Sequence, residues 1–176
     1  DRIREILLHG DVSMAPRTEA ALFIASRAEL VATAVRPALE RGEHVLLDRY
    51  LLSTYAYQIQ GRGLPEDAVR SANALATDGL VPDLTLLLTL SPAAGLKRAG
   101  ARSAADRMER AEAEFHEKVA AAFGRFSEPA WQTAHPECGP IVAIPADGDV
   151  DSIEALVLRE VSTRLPAISL DGAGVR

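Results

Sequence analysis

Three short apolar runs interrupt a chain that otherwise reads as helix: Val45-Leu46-Leu47, Leu84-Thr85-Leu86-Leu87-Leu88 and Ile141-Val142-Ala143-Ile144. Each is too short for a helix, and each fits a strand buried on both faces. Around them, apolar residues recur at spacings of three and four. Strands alternating with helices pair in parallel, because each strand returns through a crossover. The expected fold class is therefore α/β with a parallel sheet.

The helices are placed by their punctuation. Residues 1–8 form a short amphipathic stretch, and Gly10 to Arg17 reads as loop. Thr18 is the expected N-cap of a long helix, with Glu19 in its first turn where the dipole favours an acid. Ala21, Ala25, Ala28, Ala32, Val35 and Leu39 give that helix its stripe, ending near Gly42, and Pro37 is expected to bend its last turn. Leu51 to Gln60 reads as helix, and Gly61-Arg62-Gly63 breaks it. Pro65 opens another, running to about Thr77. Ser91-Pro92 opens a helix to about Ala99, and Gly100 to Ala105 reads as loop. A long helix from Arg107 to about Glu128 carries Phe115, Val119, Ala122 and Phe126 on one face. The segment from Trp131 to Pro140 is rich in turns, and Asp149 or Asp151 caps a final helix to Arg164.

Length and charge narrow the rest. The 176 residues are 48% hydrophobic, enough for one domain over residues 1–165 with a loose tail at 166–176. A net charge of −6 argues against a general nucleic-acid surface. A single cysteine, Cys138, excludes an intrachain disulfide and fits a reducing compartment. No apolar run approaches the ~20 residues of a membrane span, and no leader pattern is visible. The expectation is a cytoplasmic protein with no membrane or nucleic-acid partner. The four histidines lack metal-ligand spacing, and no GxSxG pattern occurs.

Four groups of residues could carry chemistry. Asp48-Arg49 follows an apolar run at a strand's C-terminal end, the edge where open α/β sheets bind ligands. There an arginine can grip a phosphate and an aspartate can hold a cation or its waters. The same pair also reads as a strand-end ion pair. Thr54, Tyr57 and Gln58 share a helix face, with hydroxyl and amide groups suited to a base edge; ordinary solvent-facing polarity is the other reading. Phe23 and Arg27 lie one turn apart. A phenyl ring can stack on a base and a guanidinium can donate to its rim, although both also suit a core and a solvated surface. Lys97 to Arg110 concentrates basic residues around small, flexible ones, which suits a lid closing on phosphates as well as an exposed helix end.

Together these stretches resemble the thymidylate kinases of the P-loop nucleoside monophosphate kinase group. The resemblance is carried by "EAALFIASRAELV", "VLLDRYLLSTYAYQIQGRGL", "VPDLTLLLTLSPAAGLKRAGAR" and "DRMERAEAEFHEKV". It implies the three-layer parallel sheet of that group, lacking its first two strands, and a bacterial-type lid. It implies phosphoryl transfer from ATP, with Mg2+, to thymidine monophosphate (dTMP), as a step toward dTTP, by a homodimer. Phe23 would stack on thymine, with Arg27, Thr54 and Gln58 reading the base and Tyr57 pressing on the ribose. Arg49 would bind the acceptor phosphate as a catalytic group, and Asp48 would help place the metal. Arg98 and Arg102 would serve the ATP side, Arg102 also steadying the transferred phosphoryl group. Asp106 and Glu109 would lie near the sugar, and Ala146 and Asp147 beside adenine.

One departure stands out. The sequence contains no GxxxxGK[ST] phosphate loop. The expectation is an N-terminally truncated member of the group, with almost no activity as a 176-residue chain. The alternatives are a nucleotide-binding or regulatory subunit without a P-loop, and a related nucleotide or deoxynucleoside kinase.

Overall fold

The computed structural model describes residues 2–9, 14–90 and 113–168. These fall into two compact units: one runs up to Leu80 and resumes over residues 113–125, and the other comprises residues 81–90 and everything described from Phe126 onward. The expected helix from Ser91 to Ala99, the loop from Gly100 to Ala105, the first residues of the helix from Arg107 and residues 169–176 lie outside the described residues.

The first unit is helical. Helix α1 (Arg2–His9) buries Leu7. Helix α2 (Pro16–Leu30) continues through a π-helical turn, Val31–Val35, into α3 (Arg36–Glu40). Its start corrects one expectation. Pro16 occupies the first helical position after Ala15, so Thr18 is inside the helix and not its cap. A proline fits there because the first N–H groups of a helix lack intrahelical partners. Pro37 acts further upstream than expected. Its ring crowds the carbonyl four residues back and it donates nothing, and the helix answers by widening over Val31–Val35. Gly42, at φ +77°, ends the run in the left-handed region.

The main correction concerns Val45-Leu46-Leu47. This run forms no strand, and Leu46 is 96% exposed. Backbone N–H and C=O groups make a strand only when a neighbour completes the ladder, and among the described residues none does. An apolar run identifies a strand's side-chain preference but not its partner.

Helix α4 (Leu51–Thr54) passes directly into a second π-helical segment, Tyr55–Gly61. Helix α5 (Glu66–Thr77) follows, with Pro65 just before its first turn. Arg36 caps its far end, donating to the carbonyls of Thr77 and Asp78 and pairing with the Asp78 carboxylate at 3.0 Å. Helix α6 (Ala113–Arg125) lays Phe115, Val119 and Ala122 in the core. Gly61 makes that packing possible: a Cβ there would stand 2.6 Å from Cε2 of Phe115 and 3.1 Å from Cγ2 of Val119.

The second unit holds the parallel sheet. Strand β1 (Thr85–Thr89) pairs with β2 (Ile141–Pro145) from Thr85 opposite Ile141 to Thr89 opposite Pro145. The ladder extends at both ends, from Thr85 N–H to the Pro140 carbonyl and from Ala146 N–H to the Thr89 carbonyl. Leu87, Ile141 and Ile144 are buried, but Leu88 is 56% exposed, so β1 is covered on one face only. Helix α7 (Pro129–Ala134) and a 3-10 turn (Pro136–Cys138) precede β2. His135 stacks on Trp131 and Phe126 lies tilted against it, at centroid distances of 3.9 and 4.5 Å. Gly139 is required at the turn into β2: its φ is +68°, and a Cβ would meet the Pro82 carbonyl oxygen at 2.1 Å. Helix α8 (Val150–Arg164) is capped by Asp149, whose Oδ1 accepts from the Ser152 N–H at 2.8 Å. That bond holds the Asp149 carboxyl below the usual carboxylate range.

Candidate functional site

Helix α2 and the run from Leu51 to Gly61 meet along matching stripes. Glu19, Phe23 and Arg27 are spaced by four on one; Thr54, Gln58 and Arg62 are spaced by four on, and just beyond, the other. In an ideal α-helix, positions eight apart drift by about 80° around the axis. The wider turns of a π-helical segment reduce that drift, which keeps Thr54, Gln58 and Arg62 facing α2.

Arg27 anchors one end. Its Nη2 donates to the Tyr50 carbonyl at 3.1 Å and to Oγ1 of Thr54 at 2.9 Å, and its Nη1 donates to Oδ1 of Asn73. Asn73 is buried and its own amide nitrogen donates to the Val69 carbonyl, so its oxygen is held toward the arginine. The Tyr50 ring lies 5.5 Å from the guanidinium, and burial pushes the Tyr50 phenol up, with Arg27 opposing. One arginine thus ties α2, the entrance to α4 and α5.

Glu19 anchors the other end. It is 1% exposed. Its Oε1 accepts from Nε2 of Gln58 at 3.0 Å and from Nε of Arg62 at 3.3 Å, while its Oε2 accepts from Nη2 of Arg62 at 3.1 Å. The Arg62 guanidinium in turn covers the Phe115 ring at 4.3 Å. Such a fork supplies the donors a buried carboxylate needs.

Phe23, half-buried, stands between these two polar contacts in the α2 sequence. Tyr57 packs beside Phe115 and Phe123, with centroids 6.0 and 6.2 Å away. Its hydroxyl accepts from Nη1 of Arg49 at 3.4 Å, and the Arg49 guanidinium lies 5.6 Å from its ring. Arg49 itself is exposed with φ +67°. Asp48 is exposed too.

Among the sequence-predicted residues, Arg27 and Thr54 are in direct contact, and Tyr57 contacts Arg49. Gln58 is on the same stripe as Thr54. Ala146 is buried at the end of β2 and Asp147 is exposed beside it, in the second unit. Arg98, Arg102, Asp106 and Glu109 lie outside the described residues. Three participants were not anticipated as site residues: Glu19, Arg62 and Asn73. The four-residue register from Glu19 to Phe23 to Arg27, repeated from Thr54 to Gln58 to Arg62, was the available signal.

Among the described residues, no group of three or more His, Cys, Asp or Glu side chains is placed to hold a metal ion. A lone exposed Asp48 still suits magnesium, which keeps several waters and takes one or two carboxylates together with substrate phosphates.

A family model described as thymidylate kinase matches residues 1–135. The chain belongs to the thymidylate kinase family. It is 44% identical to a thymidylate kinase of Deinococcus radiodurans over 163 residues, which are 93% of this chain and 76% of that protein. It is 53% identical to a thymidylate kinase of Leifsonia xyli over 122 residues, 69% of this chain and 58% of that protein. A Synechococcus thymidylate kinase is 44% identical over 164 residues, covering 93% of this chain and 74% of its own length. The matched part of this chain thus spans about three fifths to three quarters of these relatives. Thymidylate kinases belong to the P-loop NTPase fold class, and the parallel β1–β2 pair agrees with an α/β member of it. No helix among the described residues is long and apolar enough to cross a membrane.

Proposed function

We propose that this thymidylate kinase family chain binds dTMP along the α2 stripe and serves phosphoryl transfer from ATP to dTMP, giving the diphosphate. The observation that carries the reading is the pairing of the α2 stripe with the Thr54–Gln58 stripe, with Arg27 bonded to Thr54 at 2.9 Å and Glu19 to Gln58 at 3.0 Å. A stacking ring beside a fixed set of polar groups is what a flat, hydrogen-bonding base requires.

The roles follow from the chemistry of each group. Phe23 stacks on the thymine face, and Arg27, Thr54 and Gln58 address its edge. Tyr57 presses on the ribose. Arg49 grips the acceptor phosphate and, as a catalytic group, orients it for attack on the γ-phosphoryl group of ATP. Magnesium, when bound, would neutralise phosphate charge, and Asp48 would hold its waters. Arg98 and Arg102 serve the donor side, with Arg102 stabilising charge on the transferring group. Asp106 and Glu109 act near the sugar, and Ala146 and Asp147 near adenine. Positioning and electrostatics supply the rate, with no covalent enzyme intermediate. In the family's three-layer sheet β1 and β2 are neighbouring strands, and the assembled enzyme is a cytoplasmic homodimer.

Calorimetric titration with the monophosphates of thymidine, uridine and guanosine tests the base reading; thymidine is expected to bind best, and a preference for guanosine overturns it. A coupled assay with ATP, magnesium and dTMP tests the transfer. Tight dTMP binding without any transfer favours the second reading, a nucleotide-binding subunit.

A further inference from the structure

Glu19 has no part in the transfer just described, yet its carboxylate is the most enclosed charge on the α2 stripe. A carboxylate accepts hydrogen bonds and donates none. Gln58 therefore has to turn its Nε2 toward Glu19, at 3.0 Å. Arg62 occupies both carboxylate oxygens, at 3.3 and 3.1 Å, and prevents Glu19 from turning away. The consequence falls on the other end of the amide. Gln58 is 3% exposed, and among the described residues no group donates to its Oε1. The described residues also hold no inaccessible polar side-chain atom without a partner, so this oxygen keeps access to the outside. An amide normally offers either end to a ligand; this one is held to a single choice.

We propose that Glu19 is a positioning residue for base selection: pinned by Arg62, it locks the Gln58 amide so that Oε1 faces the ligand as a hydrogen-bond acceptor. An acceptor at that point favours a pyrimidine with a ring N–H donor, thymine or uracil. It disfavours cytosine, whose ring nitrogen is itself an acceptor. The discrimination is of the kind in which a wrong partner leaves a buried polar group unpaired. Phe23, one turn from Glu19, holds the ring plane while Gln58 tests its edge. The inference rests on Gln58 contacting the base, as proposed above.

The test compares the unaltered chain with Glu19→Gln by calorimetric titration of three ligands: dTMP, its N3-methyl analogue and dCMP. The unaltered chain is expected to prefer dTMP over the other two by about tenfold or more, the scale of one enclosed hydrogen bond. In Glu19→Gln the Gln58 amide is satisfied in either orientation, and the preference is expected to fall below about threefold. Adding Glu19→Gln to Gln58→Leu is expected to leave the ratio of that variant unchanged, because Glu19 acts through Gln58. A variant that weakens all three ligands in proportion, keeping the ratio, overturns the proposal and leaves Glu19 a purely structural group. Should Glu19→Gln not fold, the unaltered chain decides. Its Gln58 side-chain amide protons, followed by 15N-edited NMR, are expected to stay protected and keep their orientation on adding dTMP. Rapid exchange, or a flip of the amide on binding, overturns the proposal. If dTMP does not bind the unaltered chain at all, the base-site reading fails instead, and the NMR protection shows separately whether the Glu19 lock exists.

Discussion

Arg27 and Arg49 are both assigned to dTMP, and they are built in opposite ways. Arg27 is held by the Tyr50 carbonyl, the Thr54 hydroxyl and the buried Asn73 amide before any ligand arrives. Arg49 is exposed, makes a 3.4 Å bond to the Tyr57 hydroxyl, and sits at a backbone φ of +67°. A non-glycine residue there costs on the order of 1–2 kcal/mol and persists when the surroundings demand it. The end of the site we propose for the base is thus fixed in advance, and the end we propose for the phosphate is left for the ligand to organise. That division suits a kinase: the base reports identity and needs a rigid frame, whereas the phosphate is the moving part of the reaction.

The fixed end should be costly to disturb. Replacing Glu19 with alanine takes away the carboxylate that Arg62 and Gln58 both bond. Breaking a buried ion pair from one side costs about 3–5 kcal/mol. Urea denaturation should show that loss. A loss under about 1 kcal/mol would mean that water already reaches the pair, and the contrast with Arg49 would weaken.

Arg27→Ala comes next. It leaves Oδ1 of buried Asn73 and Oγ1 of buried Thr54 without their donor, which should cost about 2–3 kcal/mol, and dTMP affinity should fall as well. A variant that loses affinity while keeping full stability would make Arg27 a ligand group only, as loose as Arg49.

How much of this could be read from residues alone differs between the two arginines. Both were singled out as ligand groups, and the helices carrying Arg27, Thr54 and Tyr57 were legible from their periodicity and from Gly42, Gly61 and Pro65. The strands Thr85–Thr89 and Ile141–Pro145 were legible as well. The strand expected to deliver Arg49 was not borne out, because Val45-Leu46-Leu47 needs a ladder partner that local sequence cannot name. Glu19 was read as a helix-dipole acid. Its burial depends on where Gln58 and Arg62 arrive, which only the packing of two helices decides. The π-helical segment Tyr55–Gly61 was equally invisible, since no residue type marks it, whereas Pro37 signalled the first only as a bend.

A smaller effect is expected at Gly61. An alanine there would press into the Phe115 ring, at 2.6 Å before relaxation. Overpacking costs about 1–3 kcal/mol, and replacing a helical glycine returns about 0.5–1 kcal/mol. The net loss should fall between about 0 and 2.5 kcal/mol by thermal denaturation. Because Phe115 supports both Arg62 and Tyr57, the variant also asks whether the fixed end and the ribose wall move together. A loss for dTMP but not for thymidine would place the effect on Arg49, reached through Tyr57, and leave the base end undisturbed.

The smallest expected change in stability is at Arg49, and it carries the comparison furthest. Glycine adopts φ +67° without the steric penalty of a side chain, so Arg49→Gly removes strain. It also raises the entropy of the unfolded chain, which offsets part of the gain. The sum should be a change within about 0.5 kcal/mol of zero. Binding should respond differently: dTMP affinity should drop by about tenfold or more, while thymidine, which has no phosphate, should bind as before. Equal losses for the two ligands would place Arg49 on the nucleoside instead. A destabilisation above about 2 kcal/mol would show that the strained backbone is held by contacts as firm as those of Arg27. Either result would remove the distinction between a base end built in advance and a phosphate end built on demand. The expected pattern, unchanged folding with a phosphate-specific loss, makes Arg49 a group that serves the phosphate and not the fold.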